Sequence, residues 1–478
     1  MDTASLQFVF FGLIIALLSN LGRSHVWRSI VLFTASITFL YSLARNPIAF
    51  LPLAGFLLLG YIGLLLLKRS WSRSMVWSIV AVILAYVWLK KYTFLPQGTF
   101  LHHPYFTLGL SYIFFRILHL LIESGEGDFK RHIGLGAYLL YTLNFTTLVA
   151  GPIQRIDEFA RDQFAPQPIP LGAGVIGLQL ERIIRGFFKV NVLAMIFDGV
   201  RGDALIQIAQ PLPFSAKMLA CFRLIIVFPL FLYCNFSGYI DVVIALARLM
   251  RLRLPENFDR PFSASSFLEF WNRWHITLST WLKTYVYNPL LIALMRRVSS
   301  PNLQPLLGVF CFFVTFFLIG VWHGRTSEFM FFGVLTGTGV SINKLWQLWL
   351  THLMGRKSYE ALSNRPVYIA FSRGLNFTWL GFILLWFWAD WKQINELFAA
   401  AGILQWVTVC LAVWLFASLV LALWEWLRSA LLAVKDSQGP VLLSRYARVV
   451  YASTLGFVAM VMTFLLNRPA PEIVYKAF

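Results

Sequence analysis

Charge is scarce in this sequence. Of 478 residues only 13% are Asp, Glu, Lys or Arg, about half of what a soluble domain carries. So little charge cannot clothe the water-facing surface of so long a chain, which excludes a soluble globular fold. With 59% hydrophobic residues and a mean hydropathy of +0.70, the bilayer is the main solvent and membrane lipid the first partner. Acidic residues are the scarcest charges, 21 against 40 basic ones. In a soluble protein that excess would suggest nucleic acid. Here the basic residues gather in short loops between apolar runs, so they read as topology marks and no nucleic-acid partner is expected. Cysteines are few: Cys221, Cys234, Cys311 and Cys410 sit in apolar runs without zinc spacing, as small core residues rather than ligands or disulfides. The sequence also lacks a P-loop, a Gly-rich dinucleotide turn, a His/Cys zinc cluster and a Gly-x-Ser-x-Gly elbow. Nucleotide hydrolysis and serine-hydrolase chemistry therefore have no support, and no bound cofactor or metal is expected.

What is present is a series of apolar runs near 6–21, 29–43, 48–67, 75–89, 106–122, 305–321, 329–350, 374–391, 404–427 and 449–466. Each approaches the ~20 residues a membrane span needs. The first run lacks a basic leader and a small-residue cleavage site, so it reads as a span rather than a cleaved signal. Loop charge sets the orientation. Arg23 and Arg28, then Lys68, Arg69 and Arg73, then Lys130 and Arg131, and later Arg248, Arg251, Arg253, Arg356, Lys357, Arg373 and Arg428 all fall on one side if the N-terminus is outside, with Lys90 and Lys91 breaking the pattern on the outer side. The expected location is the inner membrane. One membrane domain over 1–478 is the simplest organisation. Between 134 and 295 the apolar pattern is interrupted by Pro, Asn and charge, which predicts re-entrant or interfacial helices.

Polar groups in apolar surroundings are costly and mark function by default. Three such islands occur. In the first, Asn235, Ser237, Tyr239 and Asp241 follow an apolar run, with Gly238 among them. They form either a broken helix lining a cavity or hydrogen-bonding glue between helices. The second runs from 255 to 289. A cap at Ser265 or Ser266, with Glu269 three or four residues on, predicts an amphipathic helix. That helix carries Trp271, Trp274, His275, Leu278 and Trp281 on one face and Arg273 and Lys283 off it. His275 is then either a packed interfacial residue or part of a site. The third island, 320–325, ends an apolar run with Trp322 and His323 between Gly320 and Gly324. A neutral imidazole there is a base ready at neutral pH, although the island taken alone favours an interface histidine beside Trp322. His119, with Arg116 a turn earlier, reads either as part of an intramembrane polar pair or, the favoured alternative, as a residue placed at a loop end.

The stretches 235–262, 270–289 and 320–324 together resemble the membrane-bound O-acyltransferase family. The match is to its bacterial branch of alginate O-acetyltransferases and D-alanyl transfer proteins of teichoic acid modification. Softer matches at 108–123, 148–159 and 185–194 extend the likeness over most of 100–350, which becomes the expected catalytic core, with 351–478 as C-terminal transmembrane helices. The resemblance implies an all-α polytopic fold: a ring of tilted helices, with re-entrant and interfacial helices, around a central tunnel. It implies a cytosolic acyl thioester donor, acetyl-CoA or an acyl carrier protein, and a hydroxyl acceptor on an extracytoplasmic glycan or small molecule. His323 matches the family's catalytic histidine and His275 its second signature position. The chain departs where alginate-type members read Arg-Asp: it has Lys283-Thr284, and Pro289 is followed by Leu290 and Leu291. That departure leaves the substrate open.

Acyl transfer to a hydroxyl needs a base and donors for the oxyanion. His323 is the expected base. His275, Asn235 or a Trp indole is expected to orient it or stabilise the oxyanion. Asn235, Ser237, Tyr239, Asp241, Trp271, Arg273, Trp274, Ser279, Tyr285 and Trp322 are the expected substrate contacts. The arginines at 248, 251 and 253 can attract donor phosphates or simply obey loop-charge asymmetry. An extracytoplasmic acyltransferase partner is a possible completion of the transfer. The rival readings are D-alanyl transfer from a carrier-protein thioester and, in another class, a transporter with broken helices.

Overall fold

The computed structural model describes residues 5–44, 46–67, 71–101, 105–124, 133–298, 300–436, 439–441 and 444–466, with backbone alone at 71–73, 97, 435, 436, 439 and 466. The orientation marks Lys68, Arg69, Lys130 and Arg131, and the Arg73 side chain, lie outside the described residues. The fold is all-α apart from a two-residue antiparallel pair, Lys435–Asp436 with Gly439–Pro440. Seven helices among the described residues are long and apolar enough to cross a membrane. With the composition, they make this a multi-pass membrane protein.

The chain divides into two compact units. Unit 1 holds residues up to 187 and 238–256. Its helices are α1 (Leu6–Leu21), α2 (His25–Leu43), α3 (Leu51–Leu67), α4 (Trp71–Leu89), α5 (Leu110–Glu123), α6 (Leu135–Thr142), α7 (Phe145–Leu148), α8 (Ile156–Gln163) and α9 (Ala173–Phe188). The interrupted pattern expected over 134–295 is met by short helices at α6 to α8, each of eight residues or fewer, but not throughout. The same range holds Phe214–Leu249, a continuous helix long and apolar enough to span, which the interrupted pattern does not predict. Arg116, buried in α5, makes the interruption possible. It donates to the carbonyls of Tyr141, Thr142 and Thr147, the acceptors that the short helices leave open. His119 stands near the C-terminal end of α5. Its Nε2 accepts from the Ile156 amide, and its Nδ1 faces Glu123 at 3.8 Å. Phe8, Phe39, Phe145 and Tyr239 form an aromatic core in this unit.

Unit 2 holds residues 188–237 and 257–471. It contains α10 (Met195–Ala209) and most of α11 (Phe214–Leu249), a 36-residue helix that continues through Pro229 and passes into unit 1 at Gly238. Then follow α12 (Phe267–Arg273), α13 (Ile276–Leu282), α14 (Asn288–Arg297), α15 (Gln304–His323), α16 (Ser327–Met354), α17 (Arg356–Ser363), α18 (Pro366–Ile383), α19 (Leu385–Trp388), α20 (Trp391–Ala401), α21 (Ile403–Ala433) and α22 (Arg445–Leu466). Leu411, Leu415, Leu419 and Leu423 repeat every four residues as an exposed stripe on α21, the face a lipid solvent requires. The run expected at 329–350 is the 28-residue α16, but it is not among the span-grade helices. Thr336, Thr338, Ser341, Asn343 and Lys344 dilute its hydropathy.

Lipid tails are as apolar as leucine, so helices here gain little by hiding apolar area and pair instead through close contact. Small residues supply it between α15 and α16. A Cβ on Gly320 would stand 2.4 Å from the Gly333 backbone, and one on Gly333 2.5 Å from the Phe317 carbonyl oxygen. Each glycine therefore sets how near the histidine-bearing helix lies to its neighbour.

Candidate functional site

The sequence predicts one amphipathic helix through 266–281; the structure breaks it at His275. The start is as expected. Ser266 caps α12 by accepting from the Glu269 amide at 3.1 Å, while Glu269 Oε2 accepts from the Ser265 amide and hydroxyl at 2.7 Å each. Arg273 completes the cluster, donating to Glu269 Oε1 at 2.6 Å. Burial alone would raise the Glu269 carboxyl, but the Ser265 and Arg273 donors hold it below its ordinary value.

The break has a tertiary cause. Phe258 forms an antiparallel bridge with Trp274, and the Asp259 amide donates to the Arg273 carbonyl at 3.0 Å. On the other side of His275, the Ile276 amide donates to the Asn257 carbonyl at 3.0 Å. The Asn257 side-chain oxygen accepts from the Thr277 amide at 3.1 Å and from its hydroxyl at 2.9 Å. Residues 257–259 thus bracket His275 and hold it at φ +47°, ψ +51°. That left-handed geometry costs an L-residue about 1–2 kcal/mol, which the bracketing bonds offset. The single-face placement of Trp271, Trp274, His275, Leu278 and Trp281 is therefore corrected: α12 and α13 are separate helices that turn at His275.

His275 is buried. Its ring lies 5.0 Å from Phe236 and 6.0 Å from Trp322, edge-on to both. Burial pushes its imidazole down to about 3. His323, the last residue of α15, is also buried and is packed edge-on among Trp322 (4.7 Å), Phe387 (5.1 Å) and Phe332 (6.1 Å). Trp322 thus stands against both histidines. The chain leaves α15 at Gly324, where a Cβ would fall 1.9 Å from the Phe329 ring. The two islands that were separate in sequence form one aromatic-walled group inside unit 2.

Asn235 and Ser237, like Phe236, belong to this unit and are buried on α11. Lys189 donates to the Ser237 hydroxyl at 3.3 Å and lies over the Tyr233 ring. α11 does not break here, which corrects the broken-helix alternative for this island. Its polar side chains are answered sideways, so the backbone ladder need not open. Tyr239 and Asp241 fall in unit 1. Tyr239 packs on Phe8. Asp241 accepts from Arg182 at 2.9 Å and faces Arg185 at 3.6 Å, while Arg182 also forks onto Glu256 at 2.6 Å. Gly186 lets α9 approach: a Cβ there would stand 2.5 Å from the Gly238 carbonyl oxygen.

Trp271 packs on Phe316 of α15, and Trp274 joins Phe258, Phe262, Phe270 and Tyr233. Ser279 is half-buried, its hydroxyl 3.4 Å from the Trp274 carbonyl oxygen. Tyr285, on a wide helical turn over Lys283–Tyr287, packs against Trp281. The arginines at 248, 251 and 253 are engaged inside unit 1. They bond to the Pro170 carbonyl, to Asn20 with the Ile169 carbonyl, and to Asp162, respectively. Residue-by-residue reading missed Asn257, Phe332 and Phe387. Asn257 was visible only as a polar residue in a matched stretch, and nothing local marks the two phenylalanines. Among the described residues no three His, Cys, Asp or Glu side chains gather to hold a metal ion.

Comparison with known proteins adds to this geometry. A model of the membrane-bound O-acyltransferase family matches residues 97–385. A teichoic acid D-alanyltransferase of Streptococcus thermophilus is 33% identical over 250 residues, 50% of this chain and 57% of the relative. One of Bacillus subtilis is 26% identical over 295 residues, 60% of this chain and 71% of the relative. A probable alginate O-acetylase, AlgI, of Pseudomonas fluorescens is 30% identical over 244 residues, 51% of this chain and 46% of the relative. The chain therefore spans 46–71% of these relatives.

Proposed function

The chain belongs to the membrane-bound O-acyltransferase family, and on that premise we propose that it is an O-acyltransferase. It moves an acyl group, acetyl in the first instance, from a cytosolic thioester to a hydroxyl of an extracytoplasmic glycan or other envelope acceptor. The observation that carries the reading is the buried His323, set beside Trp322 with His275 on that indole's other contact. We place the catalytic core within 100–350 and the protein in the inner membrane with its N-terminus outside. Acetyl-CoA or an acyl carrier protein supplies the thioester, and an extracytoplasmic partner can receive the product.

In this mechanism the neutral His323 imidazole accepts the acceptor's hydroxyl proton as its oxygen attacks the thioester carbonyl. The C–S bond breaks, an ester C–O bond forms, and the imidazolium returns the proton to the departing thiolate. Positioned base catalysis of this kind contributes ~10²–10⁴-fold. Aromatic walls keep water from competing as nucleophile. The Trp322 indole, in ring contact with both histidines, is the proposed oxyanion donor.

The test is acceptor-dependent thioester cleavage by the purified chain. We expect His323→Ala to lose at least 100-fold in turnover while still folding and inserting, with a thermal midpoint lowered by the cavity it leaves. Near-normal turnover by that variant would refute the assignment. The relatives named for D-alanyl transfer support a second donor, a carrier-bound aminoacyl thioester. Assaying acetyl-CoA against a charged carrier protein separates the two.

A further inference from the structure

The segment after Asn257 carries charge that the acyl-transfer reading does not use. Arg260 adopts φ +44° at the start of a tight turn, Pro261–Ser263. The Ser263 hydroxyl donates to Glu425 of α21, and the Ser263 carbonyl accepts from Arg373 Nε of α18 at 2.9 Å. The other oxygen of Glu425 lies 3.8 Å from Arg260 Nη1 and 3.8 Å from Arg428 Nη1. Arg260 also faces the exposed Asp259 at 3.6 Å. Three guanidinium groups therefore converge on one Ser263–Glu425 pair.

Their donors are largely unspent. A guanidinium carries five N–H groups. Among the described residues, Arg260 and Arg428 have only these long ion pairs, and Arg373 spends one N–H on a carbonyl. The cluster is open, with Arg260 44% and Arg428 38% exposed. Its depth is also informative. At 31 residues α21 is about 46 Å long, against a hydrocarbon core of ~30 Å. Arg428 lies five residues from its end, and Arg373 seven residues into α18. Trp424 and Trp426, both exposed, flank Glu425 as residues of a membrane–water interface do.

We propose that Arg260, Arg373 and Arg428 form a binding site for a phosphate ester at the membrane surface. Arginine forks match phosphate oxygens in pairs, and a phosphate outcompetes a carboxylate held at 3.8 Å. The interfacial depth and exposed tryptophans favour the headgroup of an anionic phospholipid. The phosphate of a soluble donor such as coenzyme A has the same chemistry. The site stands apart from the His323 reading, because its test measures binding without turnover.

The experiment titrates the purified full-length chain with phosphatidylglycerol, phosphatidylcholine and coenzyme A, read by thermal shift and native mass spectrometry. Wild type is expected to prefer phosphatidylglycerol over phosphatidylcholine, or to bind coenzyme A. The preferred probe identifies the source. Arg260→Gln/Arg428→Gln should weaken that probe at least tenfold. Glu425→Gln should tighten it severalfold by releasing the arginines, and this opposite sign guards against a double variant that misfolds. Undiminished binding by the double variant, weaker binding by Glu425→Gln, or no selective binding by wild type would overturn the proposal.

Discussion

The His275 imidazole meets the Trp322 indole edge-on, with ring centroids 6.0 Å apart, although the two residues belong to different helical segments. The contact unites the two histidine islands. Trp322 is adjacent to His323 in sequence and meets its ring edge-on at 4.7 Å. One indole therefore contacts both imidazoles.

The buried state of His275 gives stability a pH dependence of known sign. Burial holds the folded imidazole near 3, against ~6.5 when unfolded. Above ~6.5 both states are neutral and the group contributes nothing. As pH falls below ~6.5 the unfolded chain takes up the proton first, costing about 1.4 kcal/mol per pH unit until the folded value is approached. The thermal midpoint of the purified protein should drop between pH 7 and 5, and His275→Gln should drop less. Equal slopes would contradict the burial.

Asn257 positions the His275 backbone. Asn257→Ala leaves the Thr277 amide and hydroxyl without their acceptor, a loss of about 2–3 kcal/mol. Thr277→Val removes the hydroxyl bond to Asn257 but keeps the amide bond, and should cost about 1 kcal/mol. Turnover should fall further in Asn257→Ala than in Thr277→Val, because the first also frees the left-handed turn. Chemical denaturation and turnover on both variants check this ordering.

Close helix approach depends on absent side chains. Gly333→Val should separate α15 from α16, lowering the thermal midpoint by several degrees and turnover with it. Gly177→Ala, where the added Cβ meets nothing within 4 Å, should be neutral or slightly stabilising. Similar losses at both sites would remove the packing argument.

Membrane orientation can be read with one new thiol. Cys221, Cys234 and Cys311 are buried and Cys410 half-buried, so background labelling should be low. Ser358→Cys, on exposed α17 beside Lys357, should react with an impermeant maleimide only after the membrane is opened. Labelling of intact cells would invert the proposed topology.

Legibility varied with the range of the forces involved. The Ser266 cap with Glu269 was readable because it spans one turn. The short helices after residue 134 were readable because Pro, Asn and charge interrupt the apolar pattern locally. The break at His275 was not: Trp271, Trp274 and Trp281 keep helical spacing across it, and the bonds that impose it come from Asn257 and Phe258. The unbroken course of α11 through Asn235 and Asp241 was equally hidden, because Lys189 and Arg182 answer Ser237 and Asp241 from another segment.

The amino-acid order alone determined the solvent and the helical class, while the two histidines stood out only through the family resemblance. Hydropathy, capping and polar residues in apolar runs are properties of single segments. Only the tertiary structure decided that Trp322 joins those histidines, that Phe332 and Phe387 enclose one of them, and that Asp241 belongs to an arginine cluster instead. Such pairings depend on which segments meet across long stretches of chain, and no local periodicity records that.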